Sequence, residues 1–177
     1  MSHDRYSDNE IDQVLSDAQV LGFVGASANT SRPSYFAMKY LLGKGYRVIP
    51  INPEAAGKEI LGQKVYATLD ELDGPVDVID IFRNSEAALA ITREAIALKD
   101  KLRLKVIWMQ LGVRNDQAAA EAEAAGLKVI MNRCAKIEYG RLSGEIGWAG
   151  VNSGTISSLR PKLAARGVQS HVISGKR

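Results

Sequence analysis

The loop "GFVGASANTSRP" (22–33) carries the residue types that bind a phosphate group. Gly25 allows close approach of a ligand to the backbone, and Ser27 with other hydroxyl and amide side chains of the loop supplies hydrogen-bond donors. Arg32 adds a positive charge, and Pro33 suits the first turn of a helix. Free amides and the helix dipole at such a turn favour an anion, so the loop predicts a phosphorylated ligand. A plain strand-to-helix turn is the alternative.

The end of the next apolar segment narrows the class of ligand. NAD-binding folds usually place Asp or Glu there, about 20 residues after the first turn, to bind the ribose hydroxyls. This chain instead reads "IPINPEAAGK", in which Asn52 and Pro53 are followed by Lys58, and the first carboxylate, Glu54, lies beyond the proline. A neutral amide followed by a lysine suits a phosphorylated ribose. Two ligands remain open, NADP and coenzyme A.

Cys134, the single cysteine, follows an apolar segment and has two interpretations. Its neighbours Arg133 and Lys136 would lower the pKa of the thiol if they lie close to it. A free cysteine is also commonly a small buried residue. No His or acid near it in sequence completes a nucleophile–base pair, so we assign no catalytic residue and expect binding rather than turnover.

Charged residues elsewhere have structural alternatives to ligand binding. Arg83 follows an apolar segment and either holds a phosphate or pairs with Glu86. Lys136, Glu138 and Arg141 predict ion pairs or a subunit contact. Metal binding is not expected, because no Cys/His cluster has ligand spacing, and neither a Walker motif nor a G-x-S-x-G elbow is present.

Alternating strand and helix patterns position these residues. Strand patterns cover 20–26, 46–52, 76–82, 104–110 and 127–132, and helix patterns cover 9–18, 34–45, 85–100 and 115–126. A short strand-like stretch followed by a helical turn is expected within 60–72. Most strand segments are nearly continuous apolar runs, which is typical of a sheet covered on both faces. The sequence therefore predicts an α/β fold with a five-stranded, mainly parallel sheet and helices on both faces.

Length and composition fit one globular domain with an appended segment. The chain has 177 residues, 46% of them apolar, and a net charge of +3, which is too small to indicate nucleic-acid binding. No apolar run approaches the roughly 20 residues that span a bilayer. We expect a domain over 1–142, and an extension over 143–177 that packs on it or on a partner subunit, for example in a homodimer. The absence of a signal-peptide pattern and the single cysteine indicate the cytoplasm.

Five blocks at successive strand ends resemble a known family. They read "RPSY…YLLGKGYRVIPINP", "ILGQKVYATLDEL", "VDVIDIFRNSE", "VIWMQLGV" and "MNRCAKIEYGRL". From about Val20 to about Leu142 the chain resembles the small CoA-binding proteins, stand-alone relatives of the N-terminal CoA-binding domain of the succinyl-CoA synthetase α subunit. The resemblance implies a Rossmann-like domain that binds coenzyme A at the carboxyl edge of its sheet.

The resemblance also implies which residues contact the ligand, and Arg32 joins them from the loop. They are Gly25, Ala26, Ser27, Pro33 and Ser34 after the first strand, Asn52, Pro53 and Lys58 after the second, Phe82 and Arg83 after the third, Met109, Gln110, Leu111 and Gly112 after the fourth, and Asn132, Arg133 and Cys134 after the fifth. The synthetases have an Asn-Cys-Pro turn after the fifth strand. Here Arg133 is inserted, and Ala135 stands where a proline would be.

The function expected from these observations is non-covalent binding of coenzyme A or a CoA thioester, in a carrier, sensor or thiol-protecting role. Ligase chemistry is not implied, because His3 and His171 both lie near the chain ends, away from any catalytic context. An NADP-dependent oxidoreductase on the same fold is one alternative. A regulatory module without a small ligand, acting through its C-terminal segment, is the other.

Overall fold

The computed structural model describes residues 3–144, which form three layers with a parallel sheet in the middle. The strands are β1 (Val20–Val24), β2 (Arg47–Ile51), β3 (Glu59–Ile60), β4 (Gln63–Lys64), β5 (Val78–Ile81), β6 (Val106–Met109) and β7 (Lys128–Ile130). The helices are α1 (Asp8–Asp17), α2 (Pro33–Gly43), α3 (Ser85–Ala97), α4 (Lys99–Leu102), α5 (Asp116–Ala124) and α6 (Ala135–Leu142). None of these helices is both long and apolar enough to cross a membrane.

Five strands form the central sheet in the order β2-β1-β5-β6-β7, and every neighbouring pair is parallel. The predicted Rossmann-like fold, with its five-stranded parallel sheet, is confirmed. All residues of β5 and β6 are buried, as expected for strands covered on both faces. The strand-like stretch expected within 60–72 is a small antiparallel pair, β3 with β4, that projects after β2.

Two hydrophobic clusters cover the two faces of the sheet. Helices α1, α2 and α6 pack on one face, where Met38, Leu41 and Tyr139 are fully buried. Helices α3 and α5 pack on the other through small residues such as Ala95 and Ala122. The sheet is therefore fully sandwiched, and only its strand ends are open to a ligand.

Helix α6 is the main element that the sequence patterns do not predict. Its sequence "AKIEYGRL" has little apolar periodicity and contains Gly140, a poor helix former. Tertiary contacts stabilise it instead, because Tyr139 is fully buried against α2 and Arg141 bonds both Glu138 and Asp8, each at 2.8 Å. The ion pair expected between Glu138 and Arg141 is thus present.

The predicted C-terminal extension, 143–177, lies outside the described residues except for Ser143 and Gly144. The predictions that this extension packs on the domain or on a second subunit therefore stay predictions.

Candidate ligand-binding site

A cleft of about 910 Å³ lies along the carboxyl edge of the sheet. After β1 the chain crosses to α2 on one face, and after β5 it crosses to α3 on the other, so the edge between these two strands is open. The residues lining the cleft are Gly25, Ser27, Ser31, Arg32, Pro33, Ser34, Phe36, Ala37, Asn52, Phe82, Arg83, Asn84, Gln110, Leu111, Val113, Cys134, Lys136 and Ile137.

Gly25 marks the point where β1 turns into the cleft. Its φ is +90°, in the left-handed region, and its amide donates to the carbonyl of Ile51 at 2.9 Å. A Cβ at this position would lie 2.8 Å from Cδ of Arg83 and 3.0 Å from the carbonyl oxygen of Phe82. A glycine is required here because both the backbone conformation and the stem of Arg83 exclude a side chain.

The loop after Gly25 is ordered by its own polar side chains. The hydroxyl of Ser27 accepts from the amide of Asn29 at 3.2 Å, and Oδ1 of Asn29 accepts from the amide of Ser31 at 2.8 Å. From β2, Nδ2 of Asn52 donates to the carbonyl of Ala26 at 2.8 Å. These three bonds are internal to the protein, and a loop ordered by its own side chains loses less conformational entropy when it binds a ligand.

Helix α2 begins in this loop without a side-chain cap. Arg32 occupies the cap position, where its side chain makes no capping hydrogen bond, and Pro33 is the first helical residue. The amide of Ser34 is therefore among the first-turn donors that no side chain satisfies. Such donors and the helix dipole attract an anion, as the sequence of the loop indicated.

The charged residues of the cleft are all positive. Arg32, Arg83 and Lys136 line it, and no Asp or Glu does. Among residues 3–144 none of the three has a carboxylate partner, so the alternative pairing of Arg83 with Glu86 is not formed. A cleft with three uncompensated cations has a positive potential, which favours a polyanionic ligand.

Beneath the cleft, a buried carboxyl group is bonded to a glutamine. Asp80 in β5 is fully buried, and Nε2 of Gln110 donates to its two carboxyl oxygens at 2.9 and 2.8 Å. Burial raises the pKa of Asp80 well above its usual range, against the opposing hydrogen bond from Gln110. Sequence reasoning missed Asp80, although a carboxylate inside the apolar strand "VIDI" is a signal that could have found it.

Cys134 lies beside this pair, at the cap position of α6. Burial raises the pKa of its thiol, the amide of Ile137 lowers it, and the nearby Asp80 raises it further, with a net upward shift. Of the two adjacent cations, Lys136 lowers the pKa of the thiol but by less than burial raises it, whereas Arg133 turns towards Glu138, at 3.7 Å. The group is therefore a protonated thiol at neutral pH, not an activated nucleophile.

Comparison with known proteins identifies the family. The model of the CoA binding domain family matches residues 20–140. The chain belongs to this family. Among its relatives, YneT of Bacillus subtilis (strain 168) is 32% identical over 130 residues, which cover 73% of this chain and 92% of YneT. The resemblance seen in the sequence is thus confirmed.

Solved structures of similar proteins share the fold of this CoA binding domain. A protein from Thermus thermophilus is 34% identical with a TM-score of 0.71, over 77% of this chain and 98% of that chain. A hypothetical protein from Pyrococcus horikoshii OT3 is 32% identical with a TM-score of 0.71, over 80% of this chain and 98% of that chain.

Most of the residues expected to contact a ligand come together in the cleft. They are Gly25, Ser27, Arg32, Pro33, Ser34, Asn52, Phe82, Arg83, Gln110, Leu111 and Cys134. The other expected residues lie elsewhere. Ala26 and Met109 are buried, Pro53 and Lys58 are exposed beyond Asn52, and Arg133 stacks 5.6 Å from the ring of Tyr6. Asn132 has a φ of +53°, and its Oδ1 accepts from the amide of Gly112 at 2.8 Å, which fixes the loop after β6.

Several lining residues were not anticipated. Phe36 and Ala37 lie in α2, Ile137 lies in α6, and Asn84 and Val113 follow β5 and β6. No local motif marks them, because helix rotation and the unpredicted α6 decide which side chains face the cleft. Within residues 3–144, no group of three or more His, Cys, Asp or Glu side chains is placed to hold a metal ion.

Proposed function

We propose that the cleft binds coenzyme A or a CoA thioester non-covalently, with the diphosphate at the turn between β1 and α2. The observation that carries this proposal is the presence of Arg32, Arg83 and Lys136 in a cleft without a carboxylate, next to an uncapped helix N-terminus. Coenzyme A carries a diphosphate and a ribose phosphate, so a cationic cleft suits it. The volume of about 910 Å³ is in the range of about 300–1,000 Å³ of ligand sites.

Binding without turnover is part of the proposal. The buried Asp80 and Cys134, at the base of the cleft, both have pKa values raised by burial, which disfavours a carboxylate base and a thiolate there. A carrier, sensor or thiol-protecting role needs neither. The single cysteine suits such a role in a reducing cytoplasm.

A thermal-shift panel tests the identity of the ligand. Coenzyme A and acetyl-CoA are expected to raise the Tm of the full chain, because a ligand at 100 times its Kd stabilises the native state by about 2.7 kcal/mol. NAD is expected to have no effect. A shift with NADP and none with coenzyme A would instead support an oxidoreductase.

A matched pair of arginine variants tests the location of the site. Arg83→Gln removes a cation of the cleft, whereas Arg47→Gln makes the same change at the exposed amino end of β2. We expect Arg83→Gln to raise the Kd for coenzyme A by about tenfold or more, because the loss of one charge-assisted hydrogen bond has an effect of this size. Arg47→Gln is expected to leave the Kd unchanged. Titration calorimetry measures both values. Equal losses in the two variants would mean that general charge, and not the cleft, controls binding.

The role of Lys58 stays a prediction that the same assay examines. If Lys58 contacts the ribose phosphate, Lys58→Gln weakens binding of coenzyme A but not of dephospho-CoA. Lys58 lies outside the lining of the cleft. If Lys58→Gln has the same Kd as the unaltered chain for coenzyme A and for dephospho-CoA, Lys58 is not part of the site.

A further inference from the structure

We infer that one end of the cleft is a subsite for an apolar acyl chain, so that the preferred ligand is an acyl-CoA rather than free coenzyme A. This inference rests on the proposed function and names the ligand class of the same site. It begins with the large apolar side chains that remain exposed among residues 3–144. They are Phe36, Leu111 and Ile137, with 51%, 64% and 46% of their surface accessible.

All three side chains line the same cleft, although they come from different elements. Phe36 lies in the first turns of α2, Leu111 follows β6, and Ile137 lies in the first turn of α6. Other large apolar residues of this part of the chain are buried or half-buried. Exposed apolar groups gathered around one cleft, rather than scattered singly, indicate a surface that a partner or ligand covers.

The polarity of the cleft changes along the sheet edge. Near β1 and β5 it is lined by Gly25, Ser27 and Arg83, which suit phosphate groups. Towards β6 and β7 it reaches Leu111 and Ile137, which have no polar side-chain atom to offer. Lys136 precedes Ile137 in the chain, but its amine lies 5.9 Å from the centre of the Tyr40 ring in α2. Phe36, also in α2, lies at the β1 end, so the subsite is assigned to Leu111 and Ile137. A CoA thioester has the same division, since its phosphates lie at one end and its acyl chain at the other.

The side chains between these two ends suit the polar middle of such a ligand. Asn84 and Gln110 carry amides, and Cys134 lies in the cleft beside them. Because Nε2 of Gln110 is bonded to both oxygens of Asp80, its carbonyl oxygen is the atom left to accept a hydrogen bond from an amide of the ligand. The apolar end of the cleft then meets the group attached to the ligand's sulfur, which in an acyl-CoA is largely hydrocarbon.

A chain-length series on the full chain tests the subsite. Calorimetric titrations would use coenzyme A and its acetyl, butyryl, hexanoyl and octanoyl thioesters below their micellar concentrations. A fully buried methylene contributes about fourfold in affinity, and a half-buried one about twofold. We therefore expect hexanoyl-CoA to bind at least about tenfold tighter than acetyl-CoA. Equal affinities along the series would overturn the inference and leave the proposed function intact, whereas no binding of any member would overturn both.

Two variants of the exposed Leu111 test where in the cleft the acyl chain lies. Leu111→Ser is expected to flatten the dependence on chain length, measured within the variant as the ratio of its affinities for hexanoyl-CoA and acetyl-CoA. Leu111 is largely exposed and contributes little to folding, so the variant remains folded. Leu111→Met keeps an apolar side chain of similar volume and is expected to retain the dependence. If Leu111→Ser keeps the full dependence, the acyl chain does not lie against this residue and the assigned subsite is wrong.

Discussion

At the amino edge of the sheet a carboxylate is fully matched by donors, whereas at the carboxyl edge three cations line a cleft without a carboxylate. Oδ2 of Asp77 accepts from the amides of Gln19 and Val20 at 2.9 and 3.0 Å, and its Oδ1 accepts from Nζ of Lys105 at 2.7 Å. The first edge neutralises its charge within the protein. At the second edge Arg32, Arg83 and Lys136 have no carboxylate partner among residues 3–144, which gives the cleft the positive potential expected of an anion site.

Two aspartates show the same contrast within one stretch of chain. Burial alone would raise the pKa of Asp77, but hydrogen bonds from Lys105 and two amides outweigh it, so its pKa lies below the usual range. Asp80, three residues further on, has one amide partner, and burial raises its pKa well above the usual range. The two pKa values shift in opposite directions because Asp80 is more deeply buried and has fewer donors than Asp77.

Removal of Asp77 is expected to have the largest effect on stability. Asp77→Ala leaves two amides without their acceptor, which costs about 2–4 kcal/mol of unfolding free energy, measured by urea denaturation. Lys105→Gln is the control, because the Lys105 side chain is 60% exposed and its ion pair is screened, so it costs less than about 1 kcal/mol. If both variants lose the same amount, the ion pair and not the amide contacts stabilises this edge.

A side chain at Gly25 is expected to disturb the carboxyl edge next most strongly. Gly25→Ala is expected to lower the free energy of unfolding by about 1–3 kcal/mol, because alanine is strained in the left-handed backbone conformation of this position. The new Cβ would also displace the stem of Arg83, so we expect weaker binding of coenzyme A. Gly45→Ala is a matched control, since Gly45 has a φ of +87° and open space where a Cβ would lie. Chemical denaturation and calorimetry should show a similar backbone cost in both variants and loss of affinity only in Gly25→Ala. Loss of affinity in both would contradict the role given to Arg83.

The smallest expected effect depends on pH. Because the pKa of Asp80 is raised in the folded state, its contribution to stability is complete below the unfolded pKa and is lost as the pH rises through the folded pKa. Asp80→Asn removes this loss and retains an amide partner for Gln110. The variant should therefore match the unaltered chain at acid pH and be the more stable of the two at pH 8, in urea denaturation.

Asp77 is expected to change the free energy of unfolding with pH in the opposite direction. Its pKa is lowered, so its contribution is present above the unfolded pKa and is lost as the pH falls through the folded pKa. Parallel pH profiles for the unaltered chain and Asp80→Asn would show that Asp80 has an ordinary pKa, and the contrast between the two edges would then not extend to this pair.

The strands and the loop between β1 and α2 were predictable because their signals are local. Apolar runs mark β1, β5 and β6, and the glycine, serines and proline of the loop identify the turn before α2. Helix α6 was not predictable in this way, because contacts with helices distant in the sequence determine which of its residues are buried. The charge state of Cys134 was also beyond sequence reasoning, because Arg133 is adjacent in the chain but points away, while Asp80, 54 positions earlier, is adjacent in space.

The walls of the cleft come from distant parts of the chain. Phe36 lies in α2, whereas Ile137 lies in α6, about 100 residues later in the chain. Both helices pack on the same face of the sheet, where Tyr40 of α2 contacts Tyr139 of α6. A chain that ended before α6 would consequently keep all five strands of the sheet and the loop after β1, but its cleft would lack Lys136 and Ile137.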